Sequence, residues 1–257
     1  MRPRRAAHVM LFVLLPVADL VAAGLATSDN FLVLTASLAS PQQDSQYAEA
    51  VLFNAESLRK EIAREWLGEE LPPSVGKTTV NVAFSDQRDA GLTWAKDDPR
   101  RQRHMLYLTT SPEKALGSTL AHEMVHVVFA TRFPHPNGVA AWLEEGIASK
   151  YDDPDRQATR DQILSWAAKT GNWPRLETVL DAQLIPATEK EMYAVAASLT
   201  DFFLARGDKT TLIAFGLSGR KRGWDRALRE HYPFGDVQEL QLAWQAWVRE
   251  SRAAATR

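Results

Sequence analysis

The sequence predicts an α+β chain, with short strands and one long helix in its first half and helices through its second. Three observations carry this. Residues 78–84, Thr-Thr-Val-Asn-Val-Ala-Phe, alternate polar and apolar side chains as a half-buried strand does. Within 46–67, Val51, Leu52, Ala55, Leu58, Ile62 and Trp66 recur at steps of three and four, which gives a helix one buried stripe. Beyond residue 150 the helical period dominates, in segments at 156–169, 188–206, 209–217, 223–230 and 237–250. A chain of 257 residues with 45% hydrophobic and 24% charged content can bury a substantial core.

Taken in order, the N-terminus carries Arg2, Arg4 and Arg5, then an apolar run over 9–26 that ends in the small residues Ala22, Ala23, Gly24 and Ala26. Basic, apolar and small-residue regions in that order read as an export signal over 1–26, with cleavage after Ala23 or Ala26. Pro16 and Asp19 interrupt the run, and a charge at bilayer depth is costly, so an uncleaved anchor is the lesser expectation. The expected location is therefore outside the cytoplasm, periplasmic or secreted. No cysteine occurs, so neither disulfides nor a lipid-modified cysteine are available. A formal net charge of -2 and the lack of a basic block after the first residues argue against a nucleic-acid partner.

A strand is expected at 30–37, closed by Pro41, and the helix over 46–67 is stopped by Gly68 and Pro72-Pro73. Two more short strands fit 90–95 and 104–109, on either side of the polar loop 96–101. Ser111 followed by Pro112 is a helix start, a capping hydroxyl before proline, and leads into a helix over 116–129. Pro134, Pro136 and Asn137-Gly138 then turn the chain back into a helix over 139–148. No internal repeat or long linker divides the rest, so 27–257 reads as a single domain, with an α/β half at 27–132 and a helical half at 133–252. The last residues, 253–257, are expected to fray.

The chemistry concentrates at Ala121-His122-Glu123-Met124-Val125-His126, an HExxH pattern in an apolar run. On a helix His122 and His126 share one face, so both imidazoles reach one ion. Zinc accepts such nitrogens at about 2.0 to 2.1 Å, and a catalytic site leaves its fourth position to water or substrate. Glu123 stands beside the ion as a general base that takes a proton from water and passes it to a leaving amine. Chance placement would produce the pattern in roughly one chain in a hundred, so a third ligand is the deciding feature. The following helix offers Glu144 and Glu145, about 100° apart, and periodicity does not choose between them. Gly146 and Ala148 are small, which lets this helix approach the HExxH helix closely.

Together, His122-Glu123-Met124-Val125-His126 and Trp142-Leu143-Glu144-Glu145-Gly146-Ile147-Ala148 resemble the gluzincin metallopeptidases of the M1-like "peptidase MA" superfamily. The resemblance is strong over 116–151 and weaker across the remainder. It implies a zincin-like fold, with an active site between a small mixed sheet and a helical half, and one zinc ion held by His122, His126 and Glu145. It also implies Glu123 as the catalytic base and peptide or protein as the substrate. In this family a tyrosine near the start of a later helix stabilises the oxyanion, and the candidate here is Tyr193, with Tyr151 and Tyr107 as fallback donors. Thr188 and Glu191 form a capping-box pattern that sets Tyr193 near a helix start.

By the same resemblance, Ala90-Gly91-Leu92-Thr93-Trp94 lines the cleft as an edge strand. The Gly-x-Met-Glu-Asn segment with which the aminopeptidase members capture a substrate amine is absent, so aminopeptidase activity is not implied. His104 and His135 read as loop or surface residues, because Glu145 completes the ligand set. Two other functions fit the same pattern: a binding or scaffolding domain that keeps a peptidase fold, and a zinc hydrolase of non-peptide amides. A purely structural zinc site has no use for Glu123, which favours catalysis.

Overall fold

The computed structural model describes residues 22–74, 76–96, 103–134 and 137–255. The export signal expected over 1–26 falls mainly on residues 1–21, outside that range. The end of its apolar run is a strand, β1 (Gly24–Thr27), which pairs antiparallel with β2 (Phe31–Thr35). The boundary after Ala26 therefore cuts through β1, whereas the boundary after Ala23 falls just before it. Among the described residues no helix is long and apolar enough to cross a membrane.

Helix α1 (Pro41–Leu67) begins five residues before the expected start, because Pro41 opens the helix instead of closing the strand. Ser40 caps it by accepting from Gln43 N, and Asp44 in the first turn accepts from Leu38 N at 2.6 Å. Val51, Ala55, Ile62 and Trp66 are buried as the periodicity requires, and Gly68 ends the helix at φ 76°.

The remaining strands are β3 (Thr78–Phe84), β4 (Ala90–Lys96) and β5 (Arg103–Thr110). They complete a five-stranded mixed sheet ordered β1-β2-β3-β5-β4. The three inner strands run parallel, and β1 and β4 are antiparallel edges. One face is dry: Phe31, Val33, Val80, Val82, Leu106 and Leu108 are all buried. Leu25, Leu92 and Trp94 belong to the other face and are exposed.

The single helix expected over 116–129 is two. Short α2 (Pro112–Leu116), capped by Ser111 as anticipated, ends at Gly117, and α3 (Ser118–Arg132) starts anew. Next come α4 (Ala141–Ala148), a 3-10 turn (Ser149–Tyr151), and α5 (Pro154–Thr170), which Asp153 caps and Gly171 closes at φ 76°. Five further helices build the second half: α6 (Leu176–Leu180), α7 (Lys190–Leu204), α8 (Lys209–Arg222), α9 (Trp224–His231) and α10 (Val237–Ala255). The capping box at Thr188 does not form: Glu189 is the N-cap of α7 and no side chain caps it. Helix α10 stays regular to Ala255, past the point of expected fraying.

Two features fix α4. Trp142 is fully buried, with its ring 5.9 Å from Phe203, 6.1 Å from Phe215 and 6.2 Å from Trp224. On the same helix Gly146 lies against α7, where a Cβ would come 2.1 Å from Thr200 Oγ1 and 2.5 Å from Ala196 O. The close approach that Gly146 permits is thus to α7 and not, as its position suggested, to the HExxH helix. One hydrophobic core runs through both halves of the chain.

Candidate metal centre

Helix α3 presents His122 and His126 one turn apart, with ring centroids 5.4 Å apart. Each ring is held from behind by a carboxylate. His122 Nδ1 lies 2.9 Å from Asp152 Oδ1, and His126 Nδ1 lies 2.7 Å from Glu144 Oε1. A proton on each Nδ1 leaves both Nε2 atoms as the free donors, and these turn toward Glu145. Glu145 Oε2 is 3.5 Å from His122 Nε2 and 3.7 Å from His126 Nε2.

Glu144 and Glu145, which periodicity could not separate, both reach the site with different jobs. Glu145 points between the histidines, and Glu144 grips the back of one of them.

These donors fit a metal ion. The two imidazole nitrogens and the carboxylate oxygen lie within 4.8 Å of one another. Two donors of a tetrahedral zinc shell sit about 3.3 to 3.5 Å apart, given bonds of about 2.0 to 2.1 Å. The Glu145 separations are close to that. Glu145 Oε2 is also buried and makes no hydrogen bond; it faces the two imidazoles at 3.5 and 3.7 Å, a gap that a cation would bridge.

Electrostatics point the same way. Burial pulls the His122 pKa down, but Asp152 and Glu145 prevail and raise it to about 9. For His126 burial is likewise overcome, by Glu145, Glu144 and Glu123, and the value rises to about 10. Burial pushes Glu145 up, yet the two histidines hold it below the usual carboxylate range. Without a metal, the carboxylates thus draw positive charge onto the imidazoles, in the place a divalent cation would take.

Glu123 is buried beside this cluster and held by the edge strand. Thr93 Oγ1 on β4 donates to Glu123 Oε2 at 2.6 Å and also lies 3.2 Å from Glu123 O. Gly91, two residues earlier, lets β4 pass directly over that carboxylate, since a Cβ there would sit 2.2 Å from Glu123 Oε1. The segment suggested to line the cleft therefore does so, through Gly91 and Thr93.

Tyr193, in the first turns of α7, lines the same cleft of about 840 Å³ as His122, Glu123, His126 and Glu145. Its hydroxyl donates to Ile185 O at 3.3 Å. Burial, then the charges of Glu145 and Glu123, raise its pKa well above the usual phenol range, so it stays a neutral donor. The fallback tyrosines stand elsewhere. Tyr151 OH donates to Glu65 Oε2 and accepts from Trp66 Nε1, and Tyr107 OH lies 3.7 Å from Met105 Sδ. His104 is not a surface residue: it is buried on β5, with Nε2 3.3 Å from Thr131 Oγ1. His135 lies outside the described residues.

Sequence reasoning missed Asp152. This buried carboxylate accepts from His122, from Arg156 NH1 at 3.1 Å and from Arg160 NH1 at 2.6 Å. Burial pushes its pKa up, but His122, Arg160 and Arg156 bring it down to about 2. Arg156 also donates to Asp89 O at 2.8 Å, which ties the entry of β4 to the start of α5. A signal was present, since Asp152, Arg156 and Arg160 recur at four-residue steps. Asp152→Asn is expected to weaken metal binding by about 10- to 100-fold, because the ring loses a charged partner that fixes its orientation and basicity. Competition against a chromogenic chelator measures this, and an unchanged affinity would refute the role. In comparison with known proteins, no family model matches the chain and a search of curated proteins finds no match.

Proposed function

We propose that this chain is an exported zinc metallopeptidase of gluzincin type that hydrolyses peptide bonds. One observation carries the reading: His122 Nε2, His126 Nε2 and the buried Glu145 Oε2 converge at 3.5 and 3.7 Å, with Glu123 next to His122 on the same helix. His122, His126 and Glu145 would hold the zinc ion, which when bound supplies Lewis-acid polarisation of the scissile carbonyl and of water. Glu123, aimed by Thr93, takes a proton from the attacking water and delivers it to the leaving amine. Tyr193 exchanges Ile185 O for the carbonyl oxygen of the substrate as charge builds there, a contribution of about 3 to 4 kcal/mol.

The outer edge of β4 is unpaired within the sheet and borders the cleft, so an extended peptide can add to it as a further strand. A zincin-like fold is supported by that antiparallel edge strand lying against the helix of the two histidines. Export is supported by the basic, apolar and small-residue order of the N-terminus.

The test offers zinc-loaded protein an unfolded casein and, separately, cell-wall fragments, and reads the product masses. New casein peptides should appear, vanish with a chelator and return with zinc. Intact casein beside cleaved cell-wall fragments would transfer the site to non-peptide amides, and no cleavage of either would end the hydrolase reading.

A further inference from the structure

The two ends of the cleft differ in charge economy. Five cationic side chains line it: Lys114, Arg156, Arg160, Lys190 and Arg220. Three are neutralised within the protein, Lys114 by Asp89 and Asp153, Arg156 by Asp89 and Asp152, and Arg160 by Asp152. Arg220, near the end of α8, has no carboxylate within ion-pair distance among the described residues. Its NH1 donates instead to Gly138 O and Val139 O, each at 3.0 Å, on the segment that leads into α4.

That tether matters. Two hydrogen bonds from NH1 to adjacent carbonyls hold the guanidinium in place, while Nε and NH2 have no partner among the described residues. The arrangement leaves a preoriented fork that matches the two oxygens of a carboxylate. Lys190 also lacks a carboxylate neighbour, but nothing holds its flexible stem, so ordering it on a ligand costs more.

We infer that Arg220 recognises a carboxylate of the substrate at this end of the cleft. The inference rests on the peptide-hydrolase reading of the site. The same cleft is lined by the apolar Ala130, Phe133 and Val139 as well as by Glu144, whose carboxylate is engaged by His126. From His126 to Phe133 the chain advances seven residues, about 10 Å along a helix. Gly138, whose Cβ would lie 3.5 Å from both Phe133 O and Arg220 NH1, places the guanidinium just past that point. An extended peptide rises about 3.3 Å per residue, so the carboxylate belongs roughly three residues from the scissile bond. It comes either from the C-terminus of a short peptide or from an Asp or Glu side chain in a longer one.

The experiment uses the zinc-loaded Glu123→Ala protein, so that peptides bind without turnover. Its probes are fluorescein-labelled peptide pools of six and twelve residues. The six-residue pool is made as free acid and as C-terminal amide; the twelve-residue pool is amidated, with or without one Asp. Anisotropy should show the carboxylate form of one pair binding roughly 10- to 100-fold tighter than its neutral counterpart. The pair that discriminates identifies the source, and Arg220→Gln should erase the difference.

Equal binding of charged and neutral forms by the chain with Arg220 intact overturns the inference, as does a preference that survives Arg220→Gln or the absence of binding by any pool. The comparison of ligands needs no substitution at Arg220, so loss of the α8 tether cannot mask the answer. Cleavage of the same peptides by the unsubstituted protein tests the hydrolase reading separately. Arg220-dependent binding without cleavage would sink that reading and leave the recognition site standing.

Discussion

Replacing Glu123 by alanine is expected to lower peptide-bond hydrolysis by about 10²- to 10⁴-fold, while zinc stays bound at one equivalent per chain. The expectation follows from what Glu123 touches. Its Oε2 accepts from Thr93, and it takes no part in the cluster of donor atoms formed by His122, His126 and Glu145. Removing it leaves His122, His126, Glu145 and the carboxylates behind both imidazoles in place, but takes away the group proposed to move the proton. Thr93 loses its carboxylate acceptor but keeps the backbone carbonyl of residue 123 at 3.2 Å, so little stability is lost with the change. The check pairs initial rates on casein with zinc content after dialysis. A variant that keeps zinc and full activity would remove Glu123 from the chemistry; one that loses zinc would show the residue to be structural.

Much of the centre could be read from the chain because its determinants are local. His122, Glu123 and His126 are fixed by helical spacing alone, and the seven residues around Glu144 and Glu145 lie on one short helix. What stayed hidden depends on tertiary contact. Nothing in periodicity brings Asp152 behind His122, because that contact spans 30 residues and forms only once the 3-10 turn has redirected the chain. Thr93 reaches Glu123 across another 30 residues, from a strand on a different element.

The fold follows the same division. Strand β3 stands where its alternation put it and β4 close to the short strand expected before the polar loop, while β1 was absorbed into an apolar run that looked like the end of an export signal. Helix α6, at five residues, is shorter than the window in which a helical period can be recognised. The surface that Gly146 serves was misjudged for a similar reason. A small residue announces close packing but not the partner, and the partner is α7.

The neighbouring carboxylates Glu144 and Glu145 offer the sharpest test of that centre. Glu145→Gln should drop zinc content well below one per chain, because a neutral amide replaces the anionic donor between His122 Nε2 and His126 Nε2. Glu144→Gln should keep stoichiometric zinc and weaken its affinity by about 10- to 100-fold. Its amide oxygen can still accept from His126 Nδ1, but without the charge that makes the ring a better donor. Thermal unfolding supplies a second readout. Zinc at a hundred times its dissociation constant should stabilise the unsubstituted chain by about 2.7 kcal/mol and leave Glu145→Gln almost unmoved. If Glu144→Gln is the variant that loses the ion, the roles of these adjacent residues are reversed. If both variants keep it at unaltered affinity, the metal lies elsewhere and Glu145 serves only as the ion-pair partner of the two histidines.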